Sequence, residues 1–294
     1  MNVQVENFYE LVKQEWNYPK IGKGTQYAQI HLHAADMDVT GGTIRIEDID
    51  ELAKYPDVKS VAISGLRQDT FEYFISTYGA QLRFIQFFKN KMVEDWSLLG
   101  SLPQLEGMTF FHNQRIDRMW DMSGNRSLRA LMIEDFTRLH DLTGIEKAPA
   151  LEWFAYGDAV WSTSVIRSFN CLRGTKIKRL CFSGKKIEDM DLSAIPEMKE
   201  LEIFDFPTNL FSTEQVAWLK ANCPKLKGRA IQPYLNYMAY NKETHKSDLP
   251  AVIIVGKRKP SMTIEGNETR IAKYVKKFEE SVERYRGVVF QDVP

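Results

Sequence analysis

The sequence predicts an α/β fold: a solenoid whose short parallel strands form one curved sheet, with short turns or 3-10 helices on the convex side. Two observations predict it. An apolar pattern at first, fourth and sixth positions recurs along the middle of the 294-residue chain. Its copies start 23 to 26 residues apart, a period typical of repeats that each contribute one strand. The copies begin at Val58, Leu82, Leu105, Leu128, Leu151, Ile177, Leu201 and, more loosely, Leu226.

Within each repeat, strand alternation assigns the side chains to two faces. Positions 1, 4 and 6 point into the core, and positions 3, 5 and 7 point outward. We expect Leu105, Leu128, Leu151 and Leu201 to stack as a buried ladder. A single unit cannot bury its apolar face, so the neighbouring units supply the core.

The ninth position of the repeat carries asparagine in three copies, at Asn90, Asn113 and Asn209. With this feature the pattern resembles the leucine-rich repeat family from Val58 to Ile231, and its short second halves are most similar to the bacterial internalin-like or short cytosolic type. The resemblance implies that each asparagine is buried and bonds to the backbone of the turn. Other residues interrupt this series, at Phe136, Ala159 and Lys185.

The repeats are expected to lie between two terminal units. Residues 1–57 would form an N-terminal cap with an atypical first repeat, and residues 58–232 the repeats themselves. Residues 233–294 would form a small α/β C-terminal cap. A β-branched run over 251–255 predicts a strand, and Asn267 and Gly287 are typical of the two ends of a helix. A last short strand is expected at Val288–Phe290.

Composition limits the classes of partner. The chain has 39 Lys plus Arg and 39 Asp plus Glu, so its net charge gives no reason to expect a nucleic acid or an anionic membrane as partner. No apolar run reaches the roughly 18 residues of a membrane-spanning helix. The three cysteines are widely spaced, which favours a reducing compartment. We therefore expect a cytoplasmic protein.

The outward positions of adjacent strands contain aromatic residues and methionine, the composition of an interface hot spot. They would form the concave face and bind a protein or peptide, unless a terminal segment or tight curvature buries them. The same patch could instead pair two copies of the chain. The predicted binding residues are Phe84, Gln86, Phe88, Thr109, Phe111, Met132, Glu134, Trp153, Arg179 and Asp205.

A competing hypothesis is a metal-dependent hydrolase. His31 and His33 occupy alternate positions of a predicted strand, a spacing of metal ligands, and Asp36 and Asp38 follow them. The alternative is that both histidines merely face solvent on the first strand.

The resemblance implies a protein-interaction module rather than an enzyme, and no cofactor is expected. An inhibitor or immunity-type protein of the same fold is one specific form of this function. The assignment rests on analogy between folds.

Overall fold

A computed structural model of the chain describes residues 29–32, 42–161 and 163–293, and its main feature is a parallel sheet. Eight strands form this sheet and follow one another in chain order, with two short strands of the chain left outside it. The predicted parallel sheet is confirmed, with one strand from each repeat that begins between Val58 and Leu201, whereas the looser copy at Leu226 contributes only an isolated bridge between Lys227 and Ile203. The strands are β1 Gln29–Leu32, β2 Ser60–Ser64, β3 Phe84–Phe88, β4 Gly107–Asn113, β5 Ala130–Phe136, β6 Trp153–Gly157, β8 Arg179–Ser183 and β10 Ile203–Asp205. Two further strands, β7 Val165–Ile166 and β9 Lys186–Ile187, pair in parallel with each other.

The regular spacing of the repeats sets the register of the sheet. Residues at the same repeat position pair across neighbouring strands, as Phe87 does with Phe110, and Phe110 with Ile133. Rings on adjacent strands therefore stack inside the core, with the centroids of Phe87 and Phe110 4.9 Å apart. This stacking adds dispersion contacts between β3 and β4.

The expected leucine ladder is present at the amino ends of the strands. Leu105, Leu128 and Leu151 are at most 2% exposed. Leu201 is half-buried and packs against the same core.

The segments that return the chain between strands are mostly single 3-10 turns, as predicted, but one is a true helix. Helix α2, Gln68–Tyr78, joins β2 to β3. This segment forms a helix because Phe71, Phe74 and Ile75 are spaced so that one helical face is buried. A short helix α1, Ile46–Ile49, precedes β2. The 3-10 turns are Asp50–Lys54, Gly79–Gln81, Ser97–Ser101, Met122–Gly124, Ile145–Lys147, Asn170–Leu172, Ile195–Glu197 and Phe290–Asp292.

Two of the three expected asparagines connect neighbouring repeats. The side chain of Asn90 donates to the carbonyl of Ile63 and accepts from the N–H of Leu66. Asn113 likewise donates to the carbonyl of Asn90 at 2.8 Å. The expectation for Asn209 is wrong, since it is exposed. The chain leaves the repeat path there, after the three-residue strand β10, and enters helix α3, Thr213–Asn222.

The C-terminal region contains an antiparallel sheet and a long helix. Its strands are β11 Tyr234–Asn241, β12 Lys246–Ile254 and β13 Ser261–Thr263, and its helix is α4, Glu268–Arg284. Phe278 and Tyr285 of this region join the same core cluster as the repeats. The expected strand at Val288–Phe290 is wrong, because Phe290 begins a 3-10 turn and its ring packs on Trp218 at 4.8 Å. The bounds of the three predicted domains stay predictions.

A helix that crosses a bilayer needs about 20 predominantly apolar residues. Among the described residues, no helix is both long and apolar enough to do so.

Candidate functional site

The ten predicted binding residues lie on adjacent strands, on the face of the sheet opposite the main core. We call it the non-core face. Strand pairing aligns Gln86 with Thr109 and Thr109 with Met132 along one row. A second row aligns Phe88, Phe111 and Glu134 in the same way. The sheet thus brings these side chains together as predicted, at strand spacings of about 4.8 Å.

The centre of this face is buried, and the expectation that its large apolar side chains are exposed is wrong. Phe84, Met132 and Trp153 are 3%, 1% and 3% exposed. None of the three belongs to the main core cluster. Close packing across strands contributes to this burial: the Arg179 guanidinium lies 5.1 Å from the centroid of the Trp153 ring. Sequence alternation assigned these residues to the right face, but burial depends on what packs over them.

The buried centre also contains polar groups. Among the described residues, Thr109 Oγ1 and Glu134 Oε1 have no hydrogen-bond partner. Burial, together with the neighbouring Asp135 charge, raises the pKa of Glu134 to about 8. The Glu134 carboxyl is therefore mainly protonated at neutral pH and can donate a hydrogen bond. Asp205 has a different role, since it accepts from the N–H of Arg229 at 2.8 Å.

At the carboxyl ends of the strands, half-buried and exposed rings of this face form a row together with the buried ring of His112. We call Phe88, Phe111, His112, Val160 and Trp161 the aromatic edge. The Phe88 and Phe111 rings stack at 5.0 Å, and Phe111 lies 6.3 Å from Trp161. His112 lies closer to Trp161, with centroids 4.5 Å apart. Val160 and Trp161 are 66% and 43% exposed.

One buried carboxylate holds the loop of the aromatic edge in place. Asp135 accepts hydrogen bonds from the backbone N–H groups of Ala159, Val160 and Trp161, at 3.1–3.3 Å. Its own backbone is left-handed, with φ of 56°, and its side chain is fully buried. Burial raises the pKa of Asp135, and these three N–H donors oppose the rise. These hydrogen bonds therefore fix the position of the loop relative to the sheet.

Val160, Trp161 and His112 are not among the binding residues predicted from the sequence. Val160 and Trp161 fall between β6 and β7, outside the repeat pattern. A sequence signal for this segment does exist: the repeat starting at Leu151 is 26 residues long, whereas the three repeats before it have 23. The additional residues form the loop that carries Trp161.

The two other groups with possible chemistry are the histidines and the cysteines. His31 lies on β1, where its backbone pairs with Ala62, whereas His33, Asp36 and Asp38 lie outside the described residues. Within the described ranges, no group of three or more His, Cys, Asp or Glu side chains could hold a metal ion. Burial raises the pKa of the Cys181 thiol well above its ordinary value, which keeps the sulfur protonated and weakly nucleophilic.

Comparisons with known proteins give one likeness, in fold. No protein-family model matches the chain, and no curated protein matches it. Among solved structures, the chain is similar to the crystal structure of a TLR13–ssRNA13 complex, with a TM-score of 0.51 and 14% identity over 69% of this chain. The chain spans only 29% of the length of that protein. TLR13 is a leucine-rich-repeat protein, so this likeness supports a leucine-rich-repeat-like fold.

Proposed function

We propose that this chain is a leucine-rich-repeat solenoid that binds a protein or peptide partner on its non-core face, at the aromatic edge. The observation that carries the proposal is the row formed by Phe88, Phe111 and Trp161, which stacks across the sheet and stays partly open to solvent. Aromatic side chains with this placement commonly dominate binding energies.

The form of the row suggests the chemistry of the partner. Three flat rings and the 66%-exposed Val160 offer an apolar surface for one or two apolar side chains. Lys89 borders this surface, with its Nζ 5.3 Å from the centroid of the Phe88 ring. We therefore propose that the partner segment carries one or two protruding apolar side chains with polar or charged residues on either side. The hydrogen bonds to Asp135 hold the loop before binding, which lowers the entropy cost of association.

The same proposal includes three finer features. The chain acts by binding and not by catalysis, and it does so in the cytoplasm. An inhibitor or immunity-type role is one specific form of this binding function. Pairing of two copies through the aromatic edge is the variant that light scattering would detect. The metal-dependent hydrolase built on His31 and His33 remains the alternative, and metal analysis of protein purified without added metal tests it.

The test is a peptide-display selection on the full chain, followed by titration calorimetry of a selected peptide. Trp161→Ala should weaken binding about thirtyfold, or ~2 kcal/mol, and leave the melting temperature nearly unchanged because the ring is 43% exposed. Tyr55→Ala is the matched control, since Tyr55 is a 50%-exposed aromatic residue before β2, away from the aromatic edge.

Equal affinity of both variants for the selected peptides would contradict the proposal. A single-stranded RNA oligonucleotide forms a second arm of the experiment, because the TLR13 structure is that of a complex with such an RNA. The proposal expects no RNA binding that depends on Trp161.

A further inference from the structure

The antiparallel sheet of the C-terminal region has an edge strand, β11, that lacks the features which prevent strands from pairing between molecules. Natural edge strands are commonly short, charged or interrupted by proline. β11 is 8 residues long and contains no Asp, Glu, Lys, Arg or Pro. On the other side of the sheet, β13 has only 3 residues, and the part of β12 that extends past it contains Lys246, Asp248 and Pro250. The unprotected edge of this sheet is therefore β11.

The backbone groups of every second residue of β11 point away from the sheet. The N–H of Val255 donates to the carbonyl of Pro233, which shows that the odd-numbered residues of this strand face β12. Because these directions alternate along an antiparallel strand, the even-numbered residues direct their N–H and C=O groups outward. These outward residues are Tyr234, Asn236, Met238 and Tyr240.

Nothing in the described part of the chain pairs with this edge. No backbone hydrogen bond reaches the groups of the outward residues from another segment of that part. The irregularity of the β11–β12 pair leaves its extra residue, Asp248, on β12, so β11 itself stays regular. Met238 and Tyr240 are 55% and 59% exposed. A regular, uncharged strand with free donors, free acceptors and exposed apolar side chains is a template for strand addition.

We propose that β11 pairs antiparallel with β11 of a second copy of this chain, which joins the two sheets into one. Outward residues can form the new hydrogen bonds only with outward residues. The two-fold axis that uses all four of them passes through Tyr237. It places Tyr234 opposite Tyr240 of the second copy, and Asn236 opposite Met238 of the second copy.

The composition of β11 suits pairing with itself. At this register no like charges meet, because the strand is uncharged, and the facing tyrosines form a favourable cross-strand pair. The chain as a whole has no net charge, so two copies do not repel each other over distance. A two-fold contact uses the β11 edge of each copy and is closed. It uses no residue of the aromatic edge, so it is independent of the proposed partner binding.

The experiment is sedimentation equilibrium of the full chain from micromolar to near-millimolar concentration, where we expect a reversible monomer–dimer equilibrium. Met238→Pro should weaken the dimer about tenfold or more, because it removes one outward N–H from each copy. The hydrogen bonds to β12 should survive this change, since proline is tolerated where the N–H faces solvent.

Met238→Lys is a second variant that does not depend on how the strand accepts proline. It places a charge on an exposed edge position, so it should weaken the dimer by a similar factor and leave the melting temperature of the monomer nearly unchanged. Met238→Ala is the matched control. It keeps the N–H and adds no charge, and should weaken the dimer much less.

Hydrogen exchange measured by NMR gives an independent readout. The amides of Asn236, Met238 and Tyr240 should exchange fast in dilute protein and slowly in the dimer, whereas the amide of Tyr237, which faces β12, should be protected at both concentrations. The inference is overturned if the chain stays monomeric throughout the concentration range. It is also overturned if folded Met238→Pro and Met238→Lys proteins dimerise like the wild type, or if Trp161→Ala abolishes the dimer in their place.

Discussion

Single side chains connect one repeat to the next, and Asn113 is the clearest example. It donates to the carbonyls of Asn90 and Val93, and it accepts from the N–H groups of Arg115 and Ile116. Four hydrogen bonds thus satisfy backbone groups that the turn would otherwise leave buried and unpaired. The same position holds Phe136 one repeat later, where a buried ring replaces the amide and packs on Phe110 at 6.1 Å.

At the same scale, Leu131 tests the packing of the repeat core. It is fully buried, and its strand neighbours at this position are Met108 and Phe154. Leu131→Ala should lower the free energy of unfolding by about 2–5 kcal/mol, because a layered core cannot collapse into the gap. Urea denaturation measures the change, with the exposed Arg126→Ala as control. A loss below about 1 kcal/mol would show a loosely packed core.

Glu134 predicts a dependence of stability on pH. Its pKa is about 8 in the folded chain and near the ordinary 4.5 when unfolded. Between these values the folded state keeps a proton that the unfolded state has lost. Its stabilising contribution is therefore complete below about pH 4.5, falls by about 1.4 kcal/mol per pH unit, and is gone above pH 8.

Glu134→Gln keeps a neutral side chain at every pH, so it should remove this part of the slope. The variant should be more stable than the wild type at pH 9 and show a smaller loss between pH 5 and pH 8. Urea denaturation at several pH values gives both curves. Parallel curves for the two proteins would mean that the Glu134 carboxyl titrates normally.

At the scale of elements, helices α3 and α4 close the end of the repeat core. Trp218 Nε1 donates to the carbonyl of Val288 at 2.7 Å. The Asn222 side chain donates to the carbonyl of Tyr285 and accepts from the N–H of Gly287. These bonds fix the C-terminal helix where its apolar side chains reach the last repeat.

Ending the chain at residue 232 should therefore expose apolar surface around Leu219 and Leu226. We expect aggregation on size-exclusion chromatography and a lower melting temperature. Trp218→Phe is the milder variant: it keeps a ring near Phe290 but loses the indole donor, and it should cost about 1 kcal/mol. A truncated protein that stays monomeric with an unchanged melting temperature would show that the C-terminal region is dispensable.

Most of the sheet was predictable from sequence, because register follows from a spacing that can be counted. The pairing of Phe88 with Phe111 follows from that spacing and from strand alternation alone. The burial of Trp153 was not predictable in this way, since alternation assigns a face and says nothing of what covers it. Helix α2 was also missed, because the Phe71, Phe74 and Ile75 stripe lies within a repeat expected to return by a short turn.

At the scale of the whole molecule, the two faces of the parallel sheet have different roles. The core face is a continuous apolar cluster from Leu32 to Ile231 that also takes in residues of α4. The non-core face is buried at its centre, is half-buried along β8, and is most open at the aromatic edge. The partner-binding function is therefore expected at one end of the strands, where irregular segments such as 157–161 depart from the repeat.

The most direct test of binding at the aromatic edge is hydrogen–deuterium exchange of the full chain with and without a selected peptide. Bound peptide should slow exchange at 111–113 and at 157–161, the segments that contain Phe111, His112 and Trp161. Exchange in the turns on the opposite side of the repeats, such as 145–147, should not change. Protection confined to the C-terminal hairpin at 234–254, with none at 157–161, would contradict the proposed site.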